Sequence, residues 1–160
     1  MSATIRLQRE AFDIATETAA MTRGRTDIGA VVTFTGICRV DENGAPIAAL
    51  TLEHYAGMAE AEIARHVEEA CARWPLLGVR VIHRYGRIEP GEAIVLVATA
   101  SSHREAAFAA ASFIMDYLKT RAPFWKQVET TAGTDWVEAK AEDDAAAKRW
   151  SGAPPEIERP

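Results

Sequence analysis

The spacing of hydrophobic residues along the chain predicts where its strands lie. Strands are indicated where β-branched and apolar residues run together between glycines, prolines or other turn residues. The Asn43-Gly44 pair predicts a turn before the third such segment, and Pro90-Gly91 joins two later ones. Seven segments have this character: residues 4–9, 29–36, 48–55, 78–86, 93–100, 123–130 and 135–139.

Apolar residues spaced three and four positions apart predict the helices. From Ala59 to Trp74 they mark one face of a helix, which Pro75 ends. A second helix is expected from Ser102 to about Thr120, because Ala122 precedes a proline and is disfavoured in helical geometry. Shorter helices are expected over residues 11–21 and 142–150. Since paired strands are separated by helices, the predicted fold class is α+β with mostly antiparallel strand pairs.

The length of 160 residues suits one domain, which we expect over residues 1–150 as a single unit or as two small subdomains. Residues 151–160 are expected to be a disordered tail. A composition of 48% hydrophobic and 26% charged residues is that of an ordinary globular protein. Neither a membrane-length apolar run nor a signal peptide is evident, so we expect a cytoplasmic protein without a membrane partner.

The charge of the chain is unevenly distributed. The formal net charge of −5 argues against a nucleic-acid partner. The segment from Arg80 to Lys126 nevertheless carries +3, which leaves −8 on the remaining residues. This asymmetry indicates a local anion site rather than a basic surface, with chance clustering as the alternative.

The stretch SSHREAAF, residues 101–108, has the features of a helix start. Ser102 and Glu105 have the spacing of a capping box. His103 and Arg104 follow in the first turn, where the helix dipole is already positive and acidic side chains are usual. Two basic side chains there indicate a bound anion, unless both are merely screened by solvent.

A second basic stretch, KTRAPFWK, spans residues 119–126. Lys119 lies at a helix end, where a cation complements the dipole, and Lys126 lies in a strand beside two aromatic residues. Each has a structural explanation on its own. If both converge on one pocket, burial and mutual repulsion would let one amine act as a base or nucleophile. Spacing allows this convergence without establishing it.

Other polar residues narrow the possible chemistry. Arg39, after the strand ending at Gly36, is either an exposed charge or a fork for an oxyanion or phosphate. Cys38 beside it is interpreted as a packed residue, and it has no redox or metal spacing with Cys71. The histidines lack metal-ligand spacing, and no nucleotide fingerprint is present. We therefore expect no metal and no cofactor.

Eight stretches follow one another along the chain: GAVVTFTG with Arg39, LTLEHYAGM, RWPL, VIHRYG, PGE, SSHREAAF, FIMDYLKTRAPFWK and DWVEA. In this order they resemble the catalytic (large) subunit family of molybdopterin synthase. The resemblance runs from about Gly29 to Trp150, and FIMDYLKTRAPFWK is its most specific part. It implies an α/β hammerhead-like fold and a sulfurtransferase of molybdenum cofactor biosynthesis.

The resemblance also implies a substrate and partners. The family transfers two sulfurs to cyclic pyranopterin monophosphate (precursor Z), forming the dithiolene of molybdopterin. Each sulfur arrives as a thiocarboxylate on the C-terminal Gly-Gly tail of a small ubiquitin-like carrier subunit. Two large subunits form a central dimer with one carrier at each end, a heterotetramer.

The family's site residues map onto this chain by their motifs. The resemblance implies that Lys119 and Lys126 are catalytic and contact the substrate. It also implies that Arg39, His103 and Arg104 hold the cyclic phosphate, which would account for the basic helix start. Contact with the carrier tail is implied for Lys140, Met115 and Phe34, although the helical spacing of Met115 is typical of a core residue.

The chain departs from the family pattern in places, and two other functions stay open at this point. Residues 1–28 and the tail match no family motif, and Lys140 offers a point charge where arginine is expected. One alternative is a non-catalytic, phosphate-binding regulatory subunit, which would tolerate loss of both lysines. The other is a Schiff-base lyase, which would need no protein partner.

Overall fold

The fold is given by a computed structural model that describes residues 1–55, 57–120, 122–137 and 141–152. Within these ranges it forms nine strands and four helices. In chain order they are β1 (Ser2–Gln8), α1 (Ile14–Thr22), β2 (Ala30–Ile37), β3 (Asp41–Glu42), β4 (Ala45–His54), α2 (Met58–Arg73), β5 (Leu76–Arg84), β6 (Gly86–Ile88), β7 (Ala93–Ser101), α3 (Arg104–Thr120), β8 (Phe124–Thr130), β9 (Gly133–Val137) and α4 (Ala141–Lys148).

The main sheet has four strands in the order β1-β5-β7-β2. β1 runs parallel to β5, and the β5–β7 and β2–β7 pairs are antiparallel. Alternation along β7 directs Val95 and Val97 into the core formed with α2 and α3, whereas Ala98 and Ala100 pack with Met21 of α1. The sheet is therefore covered by helices on both faces.

A second sheet carries the turn predicted at Asn43-Gly44. Its strands lie in the order β3-β4-β8-β9, and β6 also pairs with β4. Asn43 and Gly44 have φ angles of 52° and 81°, so both adopt the left-handed conformation of a tight hairpin turn. Leu50, Leu52 and Val128 form a separate small core on one face of this sheet.

The predicted fold class is confirmed, because six of the seven strand pairs in the described ranges are antiparallel. The seven predicted strands and the four predicted helices are present, with shifted ends. Two short strands, β3 and β6, are additional to the seven that were predicted. The predicted disordered tail, residues 151–160, lies outside the described residues from position 153 onward, and the domain count stays a prediction.

The start of α3 differs from the prediction. The helix begins at Arg104, and Ser102 does not cap it. The Ser102 hydroxyl instead donates to the Asp27 carbonyl at 3.3 Å, while the Ser101 hydroxyl accepts from the His103 backbone N–H at 3.4 Å. The described hydrogen bond of Ser102 is thus not the predicted cap, and the helix begins one residue later than the Ser102–Glu105 spacing implies.

No helix in the described part of the chain is long and apolar enough to cross a membrane.

Candidate active site

Lys119 and Lys126 flank the turn that connects α3 to β8. Lys119 lies exposed in the last turn of α3. The turn is closed by the Phe124 N–H, which donates to the Ala122 carbonyl at 2.8 Å. The chain then enters β8, where the Lys126 side chain is 31% exposed. The proline turn thus brings a helix-end lysine and a strand lysine to the same region of the fold.

The strand register places Lys126 on the inner face of the second sheet. Lys126 lies opposite Leu52 of β4 and Val137 of β9. Alternation along β8 places Phe124 and Val128 on this same face. Leu52 and Val128 are buried, so the aliphatic part of Lys126 leaves an apolar surface and its ammonium lies at the edge of that surface.

His83 links the two lysines through an aromatic contact. Its ring stacks on Phe124, with centroids 4.0 Å apart, and its Nδ1–H donates to the Arg84 carbonyl at 2.8 Å. Burial lowers the pKa of His83 to about 4, and the nearby Lys119 ammonium contributes to this shift. Lys119 is therefore within electrostatic range of His83, which contacts the aromatic neighbour of Lys126.

A carboxylate that the sequence analysis missed connects Lys126 to Arg39. Lys126 Nζ lies 3.0 Å from Glu42 Oε1, and Arg39 Nη2 lies 3.9 Å from Glu42 Oε2. Glu42 is only 9% exposed, whereas the Arg39 side chain is 66% exposed. In the sequence, Glu42 belongs to the DENG turn and has the appearance of a solvated loop acid. Nothing in the local sequence indicates that it turns inward.

Cys38 lies next to this cluster as a buried thiol. Burial raises its pKa, and the nearby Lys126 charge opposes that shift. Its Sγ lies 3.6 Å from the Arg39 carbonyl and 3.9 Å from the Ile88 carbonyl. A protonated, buried thiol is a poor nucleophile, which agrees with the interpretation of Cys38 as a packing residue.

His103 and Arg104 lie far from Arg39 within one chain. The β2–β7 ladder pairs Ala30 with Ser101 at one end and Ile37 with Ala93 at the other. His103 and Arg104 follow the first end, and Arg39 follows the second. The seven residue steps between these ends of β2 span about 23 Å at ~3.3 Å per residue. A single copy of the chain therefore does not bring the three residues to one phosphate.

The residues expected to contact a carrier tail have different environments. Met115 is 9% exposed and belongs to the main core, one helical turn before Lys119. Phe34 is 41% exposed on β2, opposite Val97 of β7. Lys140 lies outside the described residues.

The described residues contain no group of three or more His, Cys, Asp or Glu side chains that could hold a metal ion.

Comparison with known proteins finds relatives of this chain. Residues 7–121 match the model of a family described as MoaE protein. A molybdopterin synthase catalytic subunit from Mesorhizobium japonicum is 61% identical over 155 residues, which covers 96% of this chain and 96% of that protein.

Solved structures show the same fold. A molybdopterin biosynthesis MoaE protein from Burkholderia ambifaria superposes with a TM-score of 0.80 at 46% identity, covering 94% of this chain and 99% of that one. A molybdopterin synthase from Staphylococcus aureus gives a TM-score of 0.76 at 28% identity, covering 82% of this chain and 95% of that one.

Proposed function

The chain belongs to the MoaE family, and from this premise we propose that two copies of it together form a sulfur-transfer site. The activity is that of a molybdopterin synthase catalytic subunit, which transfers sulfur in molybdenum cofactor biosynthesis. In our proposal, one copy supplies Lys119, Lys126 and Arg39, and the other supplies His103 and Arg104. The observation that carries the proposal is the position of both lysines around the His83–Phe124 stack, with Arg39 joined to Lys126 through Glu42.

The proposed substrate is precursor Z, which presents a cyclic phosphate. The exposed Arg39 guanidinium can donate two parallel hydrogen bonds to phosphate oxygens. The start of α3 adds backbone N–H groups and the side chains of His103 and Arg104. These groups would fix the pterin so that its side-chain carbons lie near the two lysines.

The proposed sulfur donor is a small ubiquitin-like carrier with a C-terminal Gly-Gly thiocarboxylate. Its sulfur attacks a pterin side-chain carbon, forming a C–S bond while an oxygen leaves that carbon with a proton. Water then cleaves the acyl–sulfur bond, which returns the carrier as a carboxylate and leaves the sulfur on the pterin. A second carrier repeats the sequence at the neighbouring carbon.

The two lysines have separate roles in this proposal. Lys119 makes the closest contact with the thiocarboxylate, where its ammonium would neutralise the incoming charge. Lys126 stabilises charge on the departing oxygen and takes part in proton transfer. Because the carrier delivers the sulfur, no catalytic cysteine is needed, and the buried Cys38 fits this chemistry.

The need for a second copy follows from the length of the β2–β7 ladder. Arg39 is at one end of this ladder and Arg104 at the other, so one phosphate can meet both only if they come from different copies. β2 is an edge strand of the main sheet, and apolar side chains are exposed on it and just beyond it. They are Phe34, Ile37 and Val40, at 41%, 56% and 66% exposure. An apolar edge of this kind favours contact with another chain.

The family assignment argues against the two alternative functions. A phosphate-binding regulatory subunit would have no need of Lys119 and Lys126, which are both present in this chain. A Schiff-base lyase would not need a carrier protein. We further propose that the protein is cytoplasmic and that residues 1–150 form a single catalytic domain.

Mixing two inactive variants tests the shared site. Lys119→Ala and the double variant His103→Ala/Arg104→Ala are prepared separately, allowed to exchange subunits, and assayed with thiocarboxylated carrier and limiting precursor Z. In a mixed dimer, one site carries every defect and the other carries none. With random exchange, half of the dimers are mixed, so roughly a quarter of wild-type activity should return.

The control is a mixture of Lys119→Ala with Lys126→Ala. Both lysines belong to the same copy at each site, so every site in a mixed dimer keeps one defect and no activity should return. Recovery in this control, or failure of recovery in the first mixture despite proven subunit exchange, would contradict the proposed division of residues between copies.

A further inference from the structure

Glu42 lies between the other two members of a group of three charges, Arg39 and Lys126. It is the last residue of β3 and pairs with Ala45 across the Asn43-Gly44 turn. Its two carboxylate oxygens contact different cations, Lys126 Nζ at 3.0 Å and Arg39 Nη2 at 3.9 Å. The Glu42 side chain is 9% exposed and the Arg39 side chain is 66% exposed. The carboxylate is therefore buried beneath the guanidinium, which faces solvent.

This arrangement limits the positive charge that a ligand meets. Arg39 and Lys126 carry two positive charges, and Glu42 cancels one of them. A buried carboxylate is screened less by solvent than a surface one, so its repulsion of an incoming anion persists. Glu42 repels any anion at this site, but its repulsion of a ligand with two negative charges is about twice that of a ligand with one.

We infer that Glu42 determines ligand specificity at this site by favouring a singly charged cyclic phosphate diester over a doubly charged phosphate monoester. A diester keeps one ionisable oxygen, whereas a monoester carries close to two negative charges at neutral pH. The inference rests on the proposed function, in which Arg39, with His103 and Arg104 of the other copy, holds the substrate phosphate close to Lys126. It extends that function by naming the residue that selects the cyclic form against ring-opened phosphates.

Two small probes isolate the effect of charge. Propane-1,3-diol cyclic phosphate is the diester, and 3-hydroxypropyl phosphate is the monoester formed when its ring is opened by water. The affinity of each for the full-length protein is measured by displacement of bound precursor Z in titration calorimetry at pH 8. The quantity compared between variants is the ratio of monoester to diester affinity.

Variants that raise, lower or keep the local charge should respectively raise, lower or keep the ratio of monoester to diester affinity. Glu42→Gln raises the local charge by one and should raise the ratio roughly tenfold or more, the scale expected for two unit charges about 6 Å apart. Arg39→Gln lowers the charge by one and should lower the ratio. Glu42→Asp keeps the charge and should keep the preference for the diester. Because Arg39→Gln leaves Glu42 in place, the series is informative even if Glu42→Gln does not fold.

The matched control is Asp41→Asn. Asp41 precedes Glu42 in β3, so alternation directs its side chain to the other face, and the substitution changes the net charge equally. The ratio of monoester to diester affinity in Asp41→Asn should stay within about twofold of the wild-type ratio. A similar rise in Asp41→Asn would assign the effect to the overall charge of the protein and overturn the inference.

The remaining outcomes separate the inference from the proposed function. If Arg39→Gln weakens both probes but Glu42→Gln leaves the ratio unchanged, the phosphate site stands and the role of Glu42 is wrong. Equal losses for both probes in Glu42→Gln and Glu42→Asp would show a purely structural role and also overturn the inference. If Arg39→Gln binds both probes as wild type does, the phosphate lies elsewhere, and both the proposed site and the inference fail.

Discussion

The imidazole ring of His83 is stacked on the phenyl ring of Phe124, with the ring centroids 4.0 Å apart and the planes inclined by 16°. His83 belongs to β5 of the main sheet, and Phe124 is the first residue of β8 in the second sheet. The contact therefore connects the two sheets beside Lys119 and Lys126. Its geometry influences where the two lysines lie relative to each other.

The buried His83 should make stability depend on pH. Burial lowers its pKa from 6.5 to about 4, so between these values the unfolded chain binds more protons than the folded one. Stability should therefore fall as pH decreases through this window, by about 2 kcal/mol between pH 7 and pH 5 from this group alone. Urea unfolding of wild type and His83→Gln at both pH values measures the contribution, because glutamine does not titrate.

The exposed His103 provides the control for this measurement. His103→Gln should keep the wild-type change in stability between the two pH values, whereas His83→Gln should lose about 2 kcal/mol of it. An unchanged pH dependence in His83→Gln would show that another group is responsible.

Replacement of either lysine should abolish most of the sulfur transfer without unfolding the chain. Lys119→Ala should nearly eliminate molybdopterin formation, and Lys126→Ala should reduce it severely, since loss of a positioned acid or base costs on the order of a hundredfold. The assay uses thiocarboxylated carrier and precursor Z. Lys148→Ala is the matched control, because Lys148 is also an exposed lysine in the last turn of a helix. Activity of Lys119→Ala within a few-fold of wild type would rule out its catalytic role.

The phosphate contacts should affect precursor binding more than carrier binding. Arg104→Ala should weaken the binding of precursor Z by roughly 1.5–3 kcal/mol, the contribution of a hydrogen bond to a charged group. It should leave the affinity for the carrier nearly unchanged. Titration calorimetry with each ligand measures both effects. Arg65→Ala is a suitable control, because Arg65 is an exposed helix arginine whose described ion pair is with Glu62. Normal precursor affinity in a variant lacking Arg39, His103 and Arg104 would place the phosphate elsewhere.

Sulfur transfer should depend on the length of the carrier tail, such that one additional residue prevents the reaction. Addition of a residue after the terminal glycine displaces the reacting carbon by about 3.5 Å and should block sulfur transfer. Docking of the globular carrier should survive, because it uses a separate surface, and sedimentation of the mixture measures it. A carrier extended at its N-terminus is the control. Formation of product from free sulfide as fast as from thiocarboxylate, without co-sedimentation, would contradict a carrier-dependent reaction.

Local patterns in the sequence determined the elements of this protein. The strands and helices follow from hydrophobic spacing, and the Asn43-Gly44 hairpin follows from the ability of these two residues to adopt positive φ. Both depend on interactions within a few residues, which a sequence displays directly. β3 and β6 were missed because two or three residues are too few to establish a period. Ser102 was assigned as a cap because its competing acceptor, the Asp27 carbonyl, is distant in sequence.

The relationships between elements were decided by the tertiary structure. Glu42 meets Lys126 only because β3, β4 and β8 pair in one register, and a shift by one residue would direct either side chain to the other face. The same dependence on pairing separates Arg39 from His103 and Arg104, which motifs alone had grouped together. The sequence by itself thus determined which residue types are available for an anion and for lysine chemistry. Sheet register decided which of them meet, because it links residues that no local pattern connects.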